Sequence, residues 1–146
     1  MTVSGCFEKS LPVIPSDRAH FPKVAAVVNF YGITDVADLL EGPNQKSYAV
    51  SWIGNGEDRQ ELARRVSPLT YIRPGLPPIL SIQGDADPTV PYSHSVRLQE
   101  ALEKANVPHQ LVTIAGGRHG MFTADEYVRV YSEIRAFLTK YNLLPK

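Results

Sequence analysis

The sequence predicts an α/β protein built on a parallel sheet, and three features support that fold class. Short apolar runs rich in β-branched residues occupy positions 24–31, 78–83 and 110–114, and such runs are typical of strands covered on both faces. Helical patterns lie between or after these runs, so the strands would be joined by right-handed crossovers. The chain has 146 residues, of which 43% are hydrophobic and 21% charged, and this composition is that of an ordinary globular domain.

The elements can be assigned in order along the chain. Residues 1–23 contain three prolines and no sustained periodicity, so we expect an irregular N-terminal segment followed by the α/β part at 24–146. Gly-Pro and Gly-Asn-Gly breakers interrupt the stretch after the first strand, and its best helix is 57–66. The second strand precedes a helix whose apolar residues recur at helical spacing from Leu98 to Ala105, and the third strand follows that helix.

The last helix gives the clearest signal of all the elements. Thr123 and Glu126 have the spacing of a capping box, which marks the first turn of a helix. The apolar stripe that follows consists of Tyr127, Val130, Tyr131, Ile134, Phe137, Leu138 and Tyr141. Such a stripe is typical of one face of an amphipathic helix.

Two loops that follow predicted strands carry ionisable side chains. Asp87 lies in the segment 84–91 and His119 lies in the segment 116–120. Active sites of open α/β sheets form at the carboxyl ends of the strands, where both loops would lie. An aspartate followed by a histidine is the order of the last two members of a Ser…Asp…His triad. The sequence therefore predicts an acid and a base at one edge of the sheet.

Four segments in this order resemble the C-terminal half of an α/β-hydrolase. They are Asn-Phe-Tyr-Gly-Ile-Thr-Asp at 29–35, Ser-Pro-Leu at 67–69, the G-x-x-D-x-x-V-P block at 84–91, and Gly-Arg-His-Gly at 117–120. The resemblance is to hormone-sensitive-lipase-like and feruloyl-esterase-like enzymes, which are related to the prolyl-oligopeptidase catalytic domain. It implies the C-terminal portion of a three-layer α/β-hydrolase fold, with about three strands and flanking helices.

The resemblance also implies roles and an activity. Asp87 would be the triad acid and His119 the general base of a serine carboxylesterase or lipase, which cleaves small-molecule carboxylic esters through an acyl-enzyme without a metal or organic cofactor. The chemistry agrees, because a serine hydroxyl needs a neutral imidazole to accept its proton and a carboxylate to orient that imidazole. Gln83 departs from the pattern, since relatives usually carry histidine there.

Other residues offer alternative assignments. Asp85 competes with Asp87 for the role of the acid, and Asp35 also follows a strand, although its context is that of a helix start. His20, His94 and His109 are interpreted as surface residues. Tyr48 and Trp52 could line a pocket in the insert, although packing is the expected role of both. No cluster of residues has the spacing of metal ligands.

The nucleophile of such a triad is not predicted in this sequence. Ser4 lies nearest the required distance, but neither it nor any other serine has the two glycines of a G-x-S-x-G turn, and Cys6 fails the same test. We therefore expect the C-terminal part of a longer enzyme, inactive alone. The alternatives are a non-catalytic binding domain descended from an α/β-hydrolase and part of a prolyl-oligopeptidase-like peptidase.

Charge and hydropathy narrow the possible partners. The formal net charge is zero, which does not favour nucleic acid or an anionic membrane, and no apolar stretch is long enough to span a bilayer. A sheet of three strands would leave an apolar edge unpaired. We therefore expect a homodimer or higher oligomer that covers the open sheet, and the sequence indicates no compartment.

Overall fold

A computed structural model describes residues 23–144, which form a three-stranded parallel sheet with flanking helices. The strands are β1 (Val27–Phe30), β2 (Ile79–Gly84) and β3 (His109–Ile114), with β2 in the centre. The register pairs Val27 with Ile79 and Ile79 with His109. All three carboxyl ends therefore meet at one edge of the sheet, as the sequence predicts. The irregular segment predicted at 1–23 lies outside the described residues except for its last position.

The first strand is shorter than the predicted 24–31. It begins at Val27, whose N–H donates to the Pro78 carbonyl at 2.9 Å, because β2 offers no partner before that point. Val24 is 63% exposed accordingly. Strand structure needs a neighbour for its hydrogen bonds, and residues 24–26 have none among the described residues.

Alternate side chains of β2 point to two helical layers. Leu80 and Ile82 belong to a core that contains α4 (Ala124–Lys140). Ile79 belongs to another core that contains Leu98 and Leu102 of α3 (Ser93–Lys104). Because successive strand residues face opposite sides, the helices lie on opposite faces of the sheet and give the three layers expected of the fold class.

Helix α4 begins as predicted, but its apolar stripe is only partly covered. Thr123 and Glu126 form a complete capping box. Within the stripe, Val130 and Phe137 are buried, whereas Tyr131 is 63% exposed. Tyr127, Ile134, Leu138 and Tyr141 are partly buried and pack against the same core, so most of the predicted stripe faces the sheet.

A helical insert separates β1 from β2. It contains α1 (Ser47–Ile53), α2 (Arg59–Arg65) and short 3₁₀ turns at Ala37–Leu39, Gly42–Asn44 and Pro68–Tyr71. Its small core consists of Val36, Leu39, Leu40, Ala49 and Ala63. The predicted helix at 57–66 is confirmed as α2. The insert packs around its own core and therefore forms a separate cluster above the carboxyl edge of the sheet.

None of the helices at 23–144 combines the length and apolarity that a membrane span requires.

Candidate active site

Asp87 and His119 meet at the carboxyl edge of the sheet. Asp87 lies on the loop after β2 and His119 on the loop after β3, and the Nδ1 atom of His119 is 2.8 Å from Oδ2 of Asp87. The Asp87 side chain has no exposed surface, whereas that of His119 is 35% exposed. The two side chains that the sequence places on neighbouring loops are therefore in direct contact.

The carboxylate of Asp87 is held in its ionised form. Its Oδ1 atom accepts hydrogen bonds from the backbone N–H groups of Thr89 at 2.8 Å and Val90 at 3.0 Å. Burial acts to raise the pKa of Asp87, but the hydrogen bonds from His119, Val90 and Thr89 together outweigh burial and lower it. An ionised carboxylate can only accept, so Nδ1 of His119 carries the proton in this pair. In the neutral imidazole Nε2 is then free to accept a proton.

The loop that carries Asp87, residues 84–91 and called the acid loop below, is held by two hydrogen bonds from the insert. Nζ of Lys46 donates to the Pro88 carbonyl at 2.7 Å, and the hydroxyl of Tyr48 donates to the Thr89 carbonyl at 2.9 Å. Both donors come from the start of α1. Tyr48 is 40% exposed, so the interpretation of this residue as a packing residue is wrong. The same interpretation of Trp52 is also wrong, because Trp52 is 65% exposed.

The loop that carries His119 is bonded directly to the acid loop. The carboxylate of Asp85 accepts from the Gly116 N–H at 2.7 Å, and the Ala86 N–H donates to the Gly117 carbonyl at 3.1 Å. A Cβ atom on Gly84 would lie 2.0 Å from that carbonyl oxygen, so this close approach requires glycine. Asp85 therefore joins the two loops, whereas Asp87 is the aspartate that contacts His119.

Tyr31 packs against the ring of His119. Its ring centroid lies 4.5 Å from that of His119, and its backbone has a φ of 41° directly after β1. Gly120 has a φ of 68°, and a Cβ atom there would lie 2.8 Å from the Tyr31 hydroxyl. The turn after His119 thus depends on glycine for its conformation and for the space that Tyr31 occupies.

A mostly apolar cavity of about 390 Å³ opens beside His119. Its lining consists of Phe30, Tyr31, Ile33, Tyr48, Thr89, Val90 and His119. No serine or cysteine of the described residues contributes to this lining. The predicted candidates Ser4 and Cys6, like His20, lie outside the described residues.

Asp35 takes part in a second polar cluster that the sequence did not predict. Arg97 bridges Asp35 at 2.8 Å and Asp38 at 2.9 Å. Oδ1 of Asp35 also accepts from the Asp38 N–H at 3.3 Å, consistent with its predicted place at a helix start. Asp35 thus anchors the turn after β1 to α3. It does not contact His119.

His94 belongs to the same cluster, and its interpretation as a surface residue is wrong. The side chain is fully buried at the start of α3. Its Nδ1 atom accepts from the Thr34 N–H at 3.3 Å, which leaves the proton on Nε2, 3.1 Å from Oδ2 of Asp38. Burial lowers the pKa of His94, a shift to which Arg97 adds and which Asp38 opposes. His109, by contrast, is half-buried and its Nδ1 atom lies 2.8 Å from the Val107 carbonyl.

No group of three or more His, Cys, Asp or Glu residues within 23–144 is arranged to hold a metal ion. The contacts of the site are instead carboxylate–imidazole and backbone hydrogen bonds. Lys46 was not singled out from the sequence. Tyr31 lies in the segment 29–35 that carries the resemblance, but no role at the site was predicted for it.

Comparisons with known proteins place these features in a family. The BD-FAE family model matches residues 4–102, more than half of the chain; this range includes Asp87 and ends before His119. Apo esterase 2 of Thermogutta terrifontis is 27% identical with a TM-score of 0.66, over 84% of this chain and 44% of that one. The propionate-bound form of the same esterase is 26% identical with a TM-score of 0.67, over 91% and 49%.

A truncated carbohydrate esterase from gut microbiota is 29% identical with a TM-score of 0.63, over 80% of this chain and 43% of that one. No curated protein matches the chain. The chain thus spans less than half the length of these solved esterases.

Proposed function

The chain belongs to the BD-FAE family, an α/β-hydrolase-type esterase domain, and from that membership we propose that it supplies the acid and the base of a serine carboxylic ester hydrolase. Asp87 is the acid and His119 the base. The observation that carries the proposal is the 2.8 Å contact between the His119 Nδ1 atom and a buried, ionised carboxylate. That contact selects the one neutral tautomer in which Nε2 can act as a general base.

The reaction follows from this tautomer. Nε2 accepts the proton of a serine hydroxyl while the serine oxygen bonds to the ester carbonyl carbon, and Asp87 stabilises the imidazolium that forms. The imidazolium then protonates the departing alcohol oxygen, which leaves an acyl-enzyme. Water, deprotonated by the same Nε2, attacks the acyl carbon and releases the carboxylic acid and the serine.

The nucleophile and the oxyanion-hole donors would come from outside these 146 residues. A G-x-S-x-G turn places its serine after a strand, and one oxyanion donor is the N–H of the next residue. The sequence contains no such turn. In the solved esterases that resemble the chain, the matched part is less than half of the protein, which leaves room for a second half that contributes these groups.

The lining of the cavity beside His119 favours an ester substrate that carries an apolar group. Its walls are aromatic or aliphatic apart from Thr89 and His119 itself, so they offer burial to an acyl or alcohol chain and few hydrogen bonds. The similar esterase from Thermogutta terrifontis was solved with propionate and with butyrate bound. Short acyl chains are therefore the substrates proposed for this chain's site.

Ester hydrolysis by a longer protein that contains these residues tests the proposal. Replacing His119 with alanine should lower kcat/KM for p-nitrophenyl butyrate by about 10²- to 10⁴-fold, the usual contribution of a general base. Asp87→Asn should cause a comparable loss because it favours the wrong tautomer. His109→Ala is the matched control, since His109 lies at the amino end of β3, and it should leave kcat/KM unchanged.

The 146-residue chain is assayed beside the longer protein. It should neither turn over the ester nor be labelled on serine by a fluorophosphonate. Labelling that depends on His119 would place the nucleophile within these residues and contradict the proposal. Full activity after His119→Ala would refute the base, cleavage of peptides in preference to esters would favour a peptidase, and inactivity of both proteins would favour a binding domain.

A further inference from the structure

Gln83 is hydrogen-bonded to the loop that carries Asp87, and nothing in its sequence context predicts these bonds. It is a fully buried residue of β2, one position before the glycine that ends the strand. Its side chain points to the α3 face of the sheet, where its Oε1 atom accepts a hydrogen bond from the buried hydroxyl of Ser95. Its Nε2 atom donates to the Val90 carbonyl at 2.8 Å and lies 3.4 Å from Oδ2 of Asp87.

These contacts hold the acid loop from the side of the sheet. The Val90 carbonyl is bound by Gln83 while the Val90 N–H is bound by Oδ1 of Asp87. Both polar groups of one loop residue are therefore held, one by the strand and one by the acid itself. The Oδ2 atom of Asp87, which contacts His119, is the same atom that Gln83 approaches.

We propose that Gln83 is a positioning residue, which holds the acid loop so that Asp87 stays against Nδ1 of His119. An amide suits this task because it donates twice and accepts at the same time. A carboxylate could not donate to the Val90 carbonyl and would place a second negative charge beside Asp87. A neutral imidazole has a single N–H, so it could serve Val90 or Asp87 but not both.

Nuclear magnetic resonance of the 146-residue chain tests this inference without any substrate. In the native chain the His119 Nδ1–H proton should resonate far downfield and should vanish in Asp87→Asn. Gln83→Met keeps the length and shape of the side chain but removes both donors. It should weaken or abolish the His119 signal and accelerate hydrogen exchange of the Thr89 and Val90 amides roughly tenfold, the equivalent of one lost hydrogen bond.

Two variants separate positioning from a general effect on stability. Ser95→Ala removes the hydrogen bond to Oε1 but leaves both donors of Gln83, so the His119 signal and the exchange of the Thr89 and Val90 amides should stay as in the native chain. Gln83→His restores one donor and should recover part of the signal. A uniform rise in exchange across β2 and β3, or an unchanged His119 signal in a folded Gln83→Met chain, would overturn the proposal.

A measurement on the native chain decides the case if Gln83→Met does not fold. The side-chain NH₂ protons of Gln83 should exchange about 100-fold more slowly than those of the exposed Gln45, because they are buried and bonded. Equal rates would refute the contact itself. The inference rests on the proposed function for its meaning, but these readouts are independent of turnover. An inactive parent with a Gln83-dependent His119 signal would refute only the function.

Discussion

Acidification should destabilise the protein through His94, which is buried in its neutral form. Its Nδ1 atom accepts from the Thr34 N–H, and its Nε2–H faces the carboxylate of Asp38. A proton added to Nδ1 would turn the acceptor into a donor, break the bond to Thr34 and place a charge in a site without exposed surface. Arg97 adds a positive charge nearby, because it bridges Asp38 as well.

The sign and size of the effect follow from linkage. The pKa of His94 is lowered in the folded state, so between its ordinary value of about 6.5 and the folded value the unfolded chain binds more protons. The free energy of unfolding therefore falls as the pH falls through this window. One proton gives a slope of at most about 1.4 kcal/mol per pH unit, and below the folded pKa His94 adds no further loss.

The lowered pKa of Asp87 acts in a separate window. Stability from this carboxylate is present above its ordinary pKa of 3.8 and is lost as the pH falls through the lower folded value. A measurement between pH 5 and pH 7.5 therefore separates the effect of His94 from that of Asp87. The two effects add only in stronger acid.

Urea unfolding followed by far-UV circular dichroism measures the slope between pH 5 and pH 7.5. His94→Asn keeps an acceptor near the Thr34 N–H but does not titrate, so its free energy of unfolding should be lower at pH 7.5 and nearly flat with pH. His109→Asn is the control and should retain the slope of the native chain. Equal slopes for the native chain and His94→Asn would refute the argument that His94 is held neutral.

Two further predictions concern the loops and the last helix. Gly84→Ala would place a methyl group 2.0 Å from the Gly117 carbonyl oxygen, so it should lower the free energy of unfolding by about 1–3 kcal/mol in urea titrations and displace the His119 signal. Unchanged stability would mean that the two loops are not in contact there. Thr123→Ala breaks the capping box of α4 and should cost about 1 kcal/mol, whereas Thr139→Ala near the other end of the helix should not destabilise. Equal effects of the two threonine variants would contradict the capping role.

The sequence was sufficient to predict the sheet, and to place Asp87 and His119 at one edge of it, for one physical reason. Asp87 and His119 each follow a strand, and β2 and β3 are paired in parallel with Gly84 opposite Ile114. Loops that leave neighbouring parallel strands begin at the same edge, so residues a few positions into them can meet. The contact is thus encoded locally, by strand signals and turn residues.

The burial of His94 could not be predicted in the same way. Its partners Thr34 and Asp38 lie 60 and 56 positions away in the chain, on the turn after β1. The local sequence around His94 is polar and starts a helix, and nothing in it indicates that another segment covers that end. Tyr48 and Lys46 were missed for the same reason, since their acceptors lie on a loop more than 40 residues later.

The acid loop is held by Gln83 on one side and by the insert on the other, and mutations at these two places should have different effects. Gln83 reaches the loop from the central strand, is fully buried and is bonded on its other side to Ser95 of α3, so none of its contacts involves the insert. Lys46 and Tyr48 reach it from an exposed insert with its own small core. Tyr48 also lines the cavity, whereas Gln83 does not. Changes in the insert should therefore alter what the cavity admits while the sheet and Gln83 keep Asp87 in contact with His119.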